Sequence, residues 1–238
     1  MFPTRLSSAY AVCSDAAGVA GNVFAVALFV SPIPTFKQIV RNQSTQQFSG
    51  LPYIYALFNC LICLWYGSPF VSPGVTFVAT VNSIGVLFQL VYIATFIMHA
   101  NNAKRLKMLG SLIAVLSLFI VLVYASMRLF DGHSRQVFVG YLSVASLISM
   151  FASPLFIINL VIKTTSVQYM PFYLSLSTFL MSFSFFGYGA LKDDPFIYVP
   201  NGIGIVLGLV QLLVYCYYSS ANTSREDSRR EALLDHHP

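Results

Sequence analysis

The chain has 238 residues, of which 57% are hydrophobic and only 9% charged, with a formal net charge of +5. A soluble domain carries about 25% charged residues, and a water-exposed surface this apolar would aggregate, so the composition excludes a water-soluble globule and names lipid as the solvent. The basic residues are spread over the loops, which excludes a nucleic-acid surface.

The opening Met1-Phe2-Pro3-Thr4-Arg5 does not read as a signal peptide, and the apolar run from Gly18 is long enough to span a bilayer, so it is expected to stay attached. Following the scarcity of Asp, Glu, Lys and Arg places spans at roughly 17–38, 51–70, 76–99, 108–127, 137–162, 170–190 and 197–219. Turn-forming clusters run from Ser68-Pro69 to Ser72-Pro73-Gly74 and over Lys192-Asp193-Asp194-Pro195. Residues 101–107 form a basic loop and 220–238 a polar tail.

Seven spans put the termini on opposite faces. Nine basic residues (Lys37, Arg41, Lys104, Arg105, Lys107, Lys163, Arg225, Arg229, Arg230) share the face of the C-terminus, against Arg5, Arg128, Arg135 and Lys192 on the other. Positive charge prefers the cytoplasm, which predicts a cytosolic tail and a non-cytosolic N-terminus. The sequons at Asn42 and Asn222 then face the cytosol and escape glycosylation.

The chain repeats itself. A shift of 122 lays Gly18 on Gly140, Phe29 on Phe151 and Ser31-Pro32 on Ser153-Pro154; a shift of 119 lays Asn82-Ser83-Ile84-Gly85 on Asn201-Gly202-Ile203-Gly204. The second and sixth spans open with Pro52 and Pro171 and reach Tyr66-Gly67 and Tyr188-Gly189. A three-span unit copied directly would sit inverted, and the fourth span restores parallel halves. The predicted fold is therefore an all-α integral membrane protein of two parallel three-helix bundles joined by a linker helix. Its parts are an N-terminal segment (1–16), a first repeat (17–99), a linker with its loops (100–136), a second repeat (137–219) and a cytosolic tail (220–238). Parallel repeats about the membrane normal are a transporter architecture, with a midplane site on their shared axis.

No carboxylate falls in a predicted span, and His99, His133, His236 and His237 lie at span ends, in loops or in the tail. A proton-coupled carrier needs an ionisable relay at depth, so the pattern favours facilitated diffusion of a neutral solute. Asn82 and Asn201 are the matched polar groups. A lone membrane asparagine is read as helix–helix glue; a symmetric pair is read as pointing at the axis, where amides supply donors and acceptors suited to adjacent sugar hydroxyls. Pro32, Pro52, Pro154 and Pro171 are read as symmetric hinges, and Tyr66, Tyr188 and Asp194 as a gate on the opposite face. Cys60-x-x-Cys63 has metal or redox spacing but sits mid-helix without a histidine and is read as helix packing, as is Gly204-x-x-x-Gly208. No metal or cofactor is expected.

Ser31-Pro32-Ile33-Pro34-Thr35-Phe36, Gln47-Phe48-Ser49-Gly50-Leu51-Pro52-Tyr53, Trp65-Tyr66-Gly67, Met170-Pro171-Phe172, Asp194-Pro195-Phe196 and Pro200-Asn201-Gly202-Ile203-Gly204 resemble the plant SWEET sugar facilitators of the MtN3/saliva, PQ-loop group. The resemblance covers residues about 14–219. It implies uniport of mono- or disaccharides by alternating access, often in trimers, with binding asparagines at Asn82 and Asn201, pocket residues at Cys63 and Phe185, the proline tetrad as hinges, and a Tyr66–Asp194 gate. Where many relatives carry tryptophan this chain has Phe185, which offers a sugar less stacking area and no N–H. The resemblance is to the hexose-preferring, vacuolar subgroup, although an acidic dileucine signal before Leu233-Leu234 would want its acid where Arg229 stands. The alternatives are a proton-coupled PQ-loop carrier of another small solute and a seven-helix receptor. An intramembrane enzyme is disfavoured, since no acid pair, metal cluster or Ser/His constellation lies at depth.

Overall fold

A computed structural model describes the backbone of residues 4–234 and the side chains of residues 9–220 apart from Tyr169. Those residues form nine α-helices: α1 (Thr4–Val30), α2 (Ile33–Asn42), α3 (Leu51–Tyr66), α4 (Thr76–His99), α5 (Asn102–Leu129), α6 (Gly132–Met150), α7 (Ala152–Thr164), α8 (Phe172–Leu191) and α9 (Pro195–Leu234), with a 3-10 turn at Val167–Tyr169. Six stretches are long and apolar enough to cross a membrane, and α3 is a shorter apolar helix. Paired as α1/α2 and α6/α7, the helices make seven crossings: three, a linker (α5), and three. The side chains beyond Ser220, including Asn222 and the Arg229–Leu234 stretch, lie outside the described residues.

The first crossing differs from its sequence reading. It was expected to begin near residue 17, yet α1 is helical from Thr4 and carries Asp15, exposed, inside the apolar stretch Ala9–Asn42. A carboxylate near a helix end reaches the interface, so it need not stop the helix.

Two crossings are broken, at Ser31-Pro32 and at Phe151. Proline has no N–H for the Leu28 carbonyl; the Ser31 N–H (3.2 Å) and hydroxyl (2.7 Å) donate to that carbonyl instead. The Tyr92 hydroxyl donates to the Phe29 carbonyl at 2.6 Å. Pro154 lies in the first turn of α7, just past the second break. Pro52 stands second in α3 and Pro171 at the N-cap of α8, positions where a missing N–H leaves nothing unpaired.

The repeat is visible in close helix contacts. A Cβ on Gly18 would lie 2.4 Å from the Phe77 ring, and one on Gly140 2.5 Å from Phe196. One on Gly85 would meet Cys60 Sγ and Phe29; one on Gly204 would meet Ser182 Oγ and Phe151. Each set maps onto the other through the shifts of 119 and 122, so the glycines are approach points at which both halves bring helices together.

Two faces can be named from the chain: the N-terminal face, carrying the loops 67–75, 130–131 and 192–194, and the tail face, carrying 43–50, 100–101 and 165–171. Toward the N-terminal face one core joins the halves, with Tyr66, Val71, Val75, Val78 and Val81 packed among Val139, Phe185, Tyr188 and Ile197. Toward the tail face the cores are separate, and the Tyr55 hydroxyl of α3 pairs with the Ser149 hydroxyl of α6 across the halves. Phe36, Ile39, Leu57, Tyr92, Phe96 and Met108 form one within the first half and linker, and Ile158, Val161 and Met170 form another within the second. The halves also meet along α1 against α8 and α3 against α6. Arg135 ties the linker to the N-terminal face, donating to the carbonyls of Phe70, Ser126 and Phe130 at 3.0–3.1 Å.

Candidate functional site

Between the halves lies a cavity of about 310 Å³ whose walls include Cys63, Tyr66, Asn82, Phe185 and Asn201. Asn82 stands on α4 and Asn201 on α9. Each donates one amide N–H to the carbonyl four residues earlier, Val78 and Ile197, both at 2.8 Å. Each amide is thereby fixed against its own helix, with its carbonyl oxygen and second N–H still available to an occupant. Pro200, inside α9, adds local freedom to that helix by leaving the Phe196 carbonyl without its helical donor.

Cys63 and Phe185 occupy matched positions and both are buried, at 3% and 6% exposure. Phe185 is held by α1: a Cβ on Gly21 would lie 2.7 Å from its ring. Cys63 donates a weak bond to Asn59 Oδ1 at 3.8 Å, while Cys60 packs on Gly85. Among the described residues no group of three or more His, Cys, Asp or Glu side chains is placed to hold a metal.

Asp194 does not line this cavity. It lies one layer nearer the N-terminal face, where a second hollow of about 470 Å³ is bordered by Ser72, His133, Gln136 and Asp194. Between the two spaces the Tyr66 hydroxyl sits 2.7 and 2.6 Å from the carboxylate oxygens of Asp194. Ser72 donates to the same carboxylate at 3.4 Å, Gln136 Nε2 donates to Ser72 Oγ at 3.1 Å, and the Phe196 N–H donates to Asp194 Oδ1 at 3.0 Å. Burial pushes the Asp194 carboxyl above the usual range, and these donors pull back against that rise. The other half has a weaker strap, with the Tyr188 hydroxyl donating to the Gly74 carbonyl at 3.4 Å. Each tyrosine also lays a T-shaped ring contact on the partner half, Tyr66 on Phe196 (5.9 Å) and Tyr188 on Phe77 (5.6 Å).

The four prolines lie away from the cavity wall, at the breaks and helix starts described above. Two buried amides of the cavity wall escaped the sequence reading. Asn59 is buried and accepts from Ser146 of the second half at 2.8 Å; it lies one turn before Cys63, the spacing that marks a shared face. Gln89 is buried two turns beyond Asn82 on the same stripe of α4. Both lack a polar counterpart, since the repeat sets Met181 and Gly208 opposite them. Apart from tyrosine and cysteine, the cavity wall carries no ionisable side chain.

This architecture is found in known proteins. The family model described as "Sugar efflux transporter for intercellular exchange" matches residues 15–105 and 137–223. The bidirectional sugar transporter SWEET2a of Oryza sativa subsp. japonica is 66% identical over 217 residues, covering 91% of this chain and 88% of that protein. SWEET2 of Arabidopsis thaliana is 58% identical, covering 96% of each. The solved structure of a eukaryotic SWEET transporter superposes with a TM-score of 0.88 at 56% identity, covering 89% of this chain and 99% of that one. On the family match alone, which takes in well over half the residues, the chain belongs to the sugar efflux transporter (SWEET) family.

Proposed function

We propose that the chain is a facilitative, bidirectional sugar uniporter that works by alternating access, with residues 17–99 and 137–219 as the moving units and 100–136 as their link. The relatives' names supply the substrate class. The observation that carries the mechanism is the division of the cores: one joined core and a Tyr66–Asp194 closure toward the N-terminal face, against separate cores toward the tail face. A body whose halves share a core toward one face, and toward the other keep separate cores bridged by the Tyr55–Ser149 hydroxyl pair, has the form of one of the two states that alternating access requires. Pro32 and Pro154, at the breaks, then serve as hinges, with Pro52 and Pro171 as the rigid helix starts beside them.

The matched amides of Asn82 and Asn201 bind hydroxyls, and Phe185 offers a ring to an apolar sugar face. A cavity of about 310 Å³ is at the small end of ligand sites, which favours a hexose such as glucose over a disaccharide. The absence of acid or base groups from its wall favours uniport over proton coupling. The one carboxylate inside the first crossing, Asp15, is exposed and away from that wall. By the excess of basic residues the tail face is cytosolic, and by resemblance the chain sits in the vacuolar membrane as a homo-oligomer, a trimer, with apolar α5 side chains such as Ile113 and Ile120 turned outward.

The deciding experiment is uptake of radiolabelled glucose and sucrose by purified protein in proteoliposomes. Glucose flux above that of sucrose, and persisting when a pH gradient is collapsed, is expected. Absence of sugar flux, or flux that needs the gradient, refutes the reading.

A further inference from the structure

We infer that Gln89 is a substrate-contacting residue that determines which sugar hydroxyl the cavity reads, a role that rests on the sugar-transport reading above. Gln89 is 6% exposed and lines the cavity with Asn82, Asn201 and Phe185. Its Oε1 is closed off from solvent and accepts no hydrogen bond from any described residue. A buried amide oxygen without a donor carries a desolvation penalty that nothing in this state offsets. The other buried amide of the cavity, Asn59, has Ser146 and Cys63 as donors. Gln89 is thus polar, buried and waiting for a donor.

Its position says which donor fits. Residues 82, 85 and 89 follow one stripe of α4, so the Cα atoms of Asn82 and Gln89 are about 10.5 Å apart along the axis. Helical side chains lean toward the helix N-terminus, which here is the Asn82 end, and the longer glutamine stem shortens the gap toward the span of one pyranose ring. Oε1 lies on the covered side of the amide, and a half-turn about the last side-chain bond on sugar entry brings it to the cavity while Nε2 takes the covered place. A hydroxyl of a sugar held at Asn82 and Asn201 then donates to Gln89 Oε1 on the tail-face side of the ring.

The opposite half has no equivalent. Gly208 stands at the matched position, and a Cβ there would lie 2.9 Å from Phe179, so that place is filled by hydrocarbon. The single amide breaks the symmetry of the site along its long direction and gives a ring a preferred way to lie.

The test uses full-length protein in proteoliposomes, with glucose and its 2-, 3-, 4- and 6-deoxy analogues competing for labelled glucose uptake, in wild type, Gln89→Met and Gln89→Ala. Wild type is expected to discriminate against one deoxy analogue about fivefold through this bond. Both variants lose the discrimination at that hydroxyl alone and keep it at the others. Because the oxygen has no partner to lose, Gln89→Met without sugar should melt at or above the wild-type temperature, and its stabilisation by glucose should shrink. An unchanged analogue pattern, an equal loss for all analogues, or variants that cannot fold without sugar would each overturn the assignment. A wild type that moves no sugar at all would instead refute the transport reading itself.

Discussion

The two halves of the molecule share a skeleton and divide the chemistry. Each half breaks its first crossing, at Ser31-Pro32 and, two residues earlier in register, at Phe151, while the glycine contacts at Gly18 and Gly140 and the amide geometry of Asn82 and Asn201 repeat closely. The cavity walls do not. The first half contributes Asn59, Cys63, Asn82 and Gln89 beside the apolar Leu28, Phe29, Val78 and Val81; the second contributes Ser143 and Asn201 with Met150, Met181, Phe185 and Ile197. The duplicated fold thus repeats the amide pair and the glycine contacts, while the unmatched side chains give the first half two buried amides, Asn59 and Gln89, where the second has Met181 and Gly208.

The largest effect tests the matched pair. Asn82→Ala and Asn201→Ala are each expected to abolish sugar flux while the protein still reaches the membrane. Full activity in both would remove the binding assignment, and loss in only one would show that the symmetry of the amides is geometric but not functional.

Next come the straps, matched in placement but unequal in strength. Tyr66→Phe removes a bond to a carboxylate and should open the N-terminal face about tenfold or more, whereas Tyr188→Phe removes a long bond to a neutral carbonyl and should change it about twofold. The rate at which a thiol reagent applied to that face labels Cys63, with Cys13, Cys60 and Cys216 changed to Ser, reads both. Equal effects would contradict the ranking. Smaller again, Pro32→Ala or Pro154→Ala should slow turnover severalfold by restoring a helical donor at a break. Unaltered uptake rates would place the hinge elsewhere.

The smallest expected effect concerns pH. Burial raises the pKa of Asp194 in the closed arrangement, while an opened, solvated carboxyl would titrate near its ordinary value. The closed form therefore binds the proton more readily, and lowering the pH through that window favours closure. Uptake measured from the N-terminal face should decline modestly as that side is acidified, and Asp194→Asn should flatten the dependence. A rise in wild-type uptake on acidification would reverse the sign and sink the argument.

Much of this was legible in the sequence because duplication prints each structural requirement twice. The crossings, the linker and the facing of Asn82 and Asn201 into one cavity follow from paired residues and missing charge. What escaped lacked a twin. Asn59 and Gln89 face Met181 and Gly208, so comparing halves could not single them out. Following missing charge starts the first span near residue 17, past Asp15, although a carboxylate near the surface interrupts hydropathy without interrupting backbone hydrogen bonds. The prolines were read as one set, yet Pro52 and Pro171 stand where helices begin, a distinction that depends on where the preceding loop ends.

The joined core on one face and the divided cores on the other have a consequence for the surrounding bilayer. Under the alternating-access cycle proposed above, exchanging the joined and the separate cores would change the area that each end takes up in its leaflet. Lateral pressure within each leaflet then does work on the transition, so lipid headgroup size enters the transport rate as a mechanical variable. Turnover compared in vesicles of small and large headgroup lipids would reveal it, and identical rates would mean that the cross-sections balance.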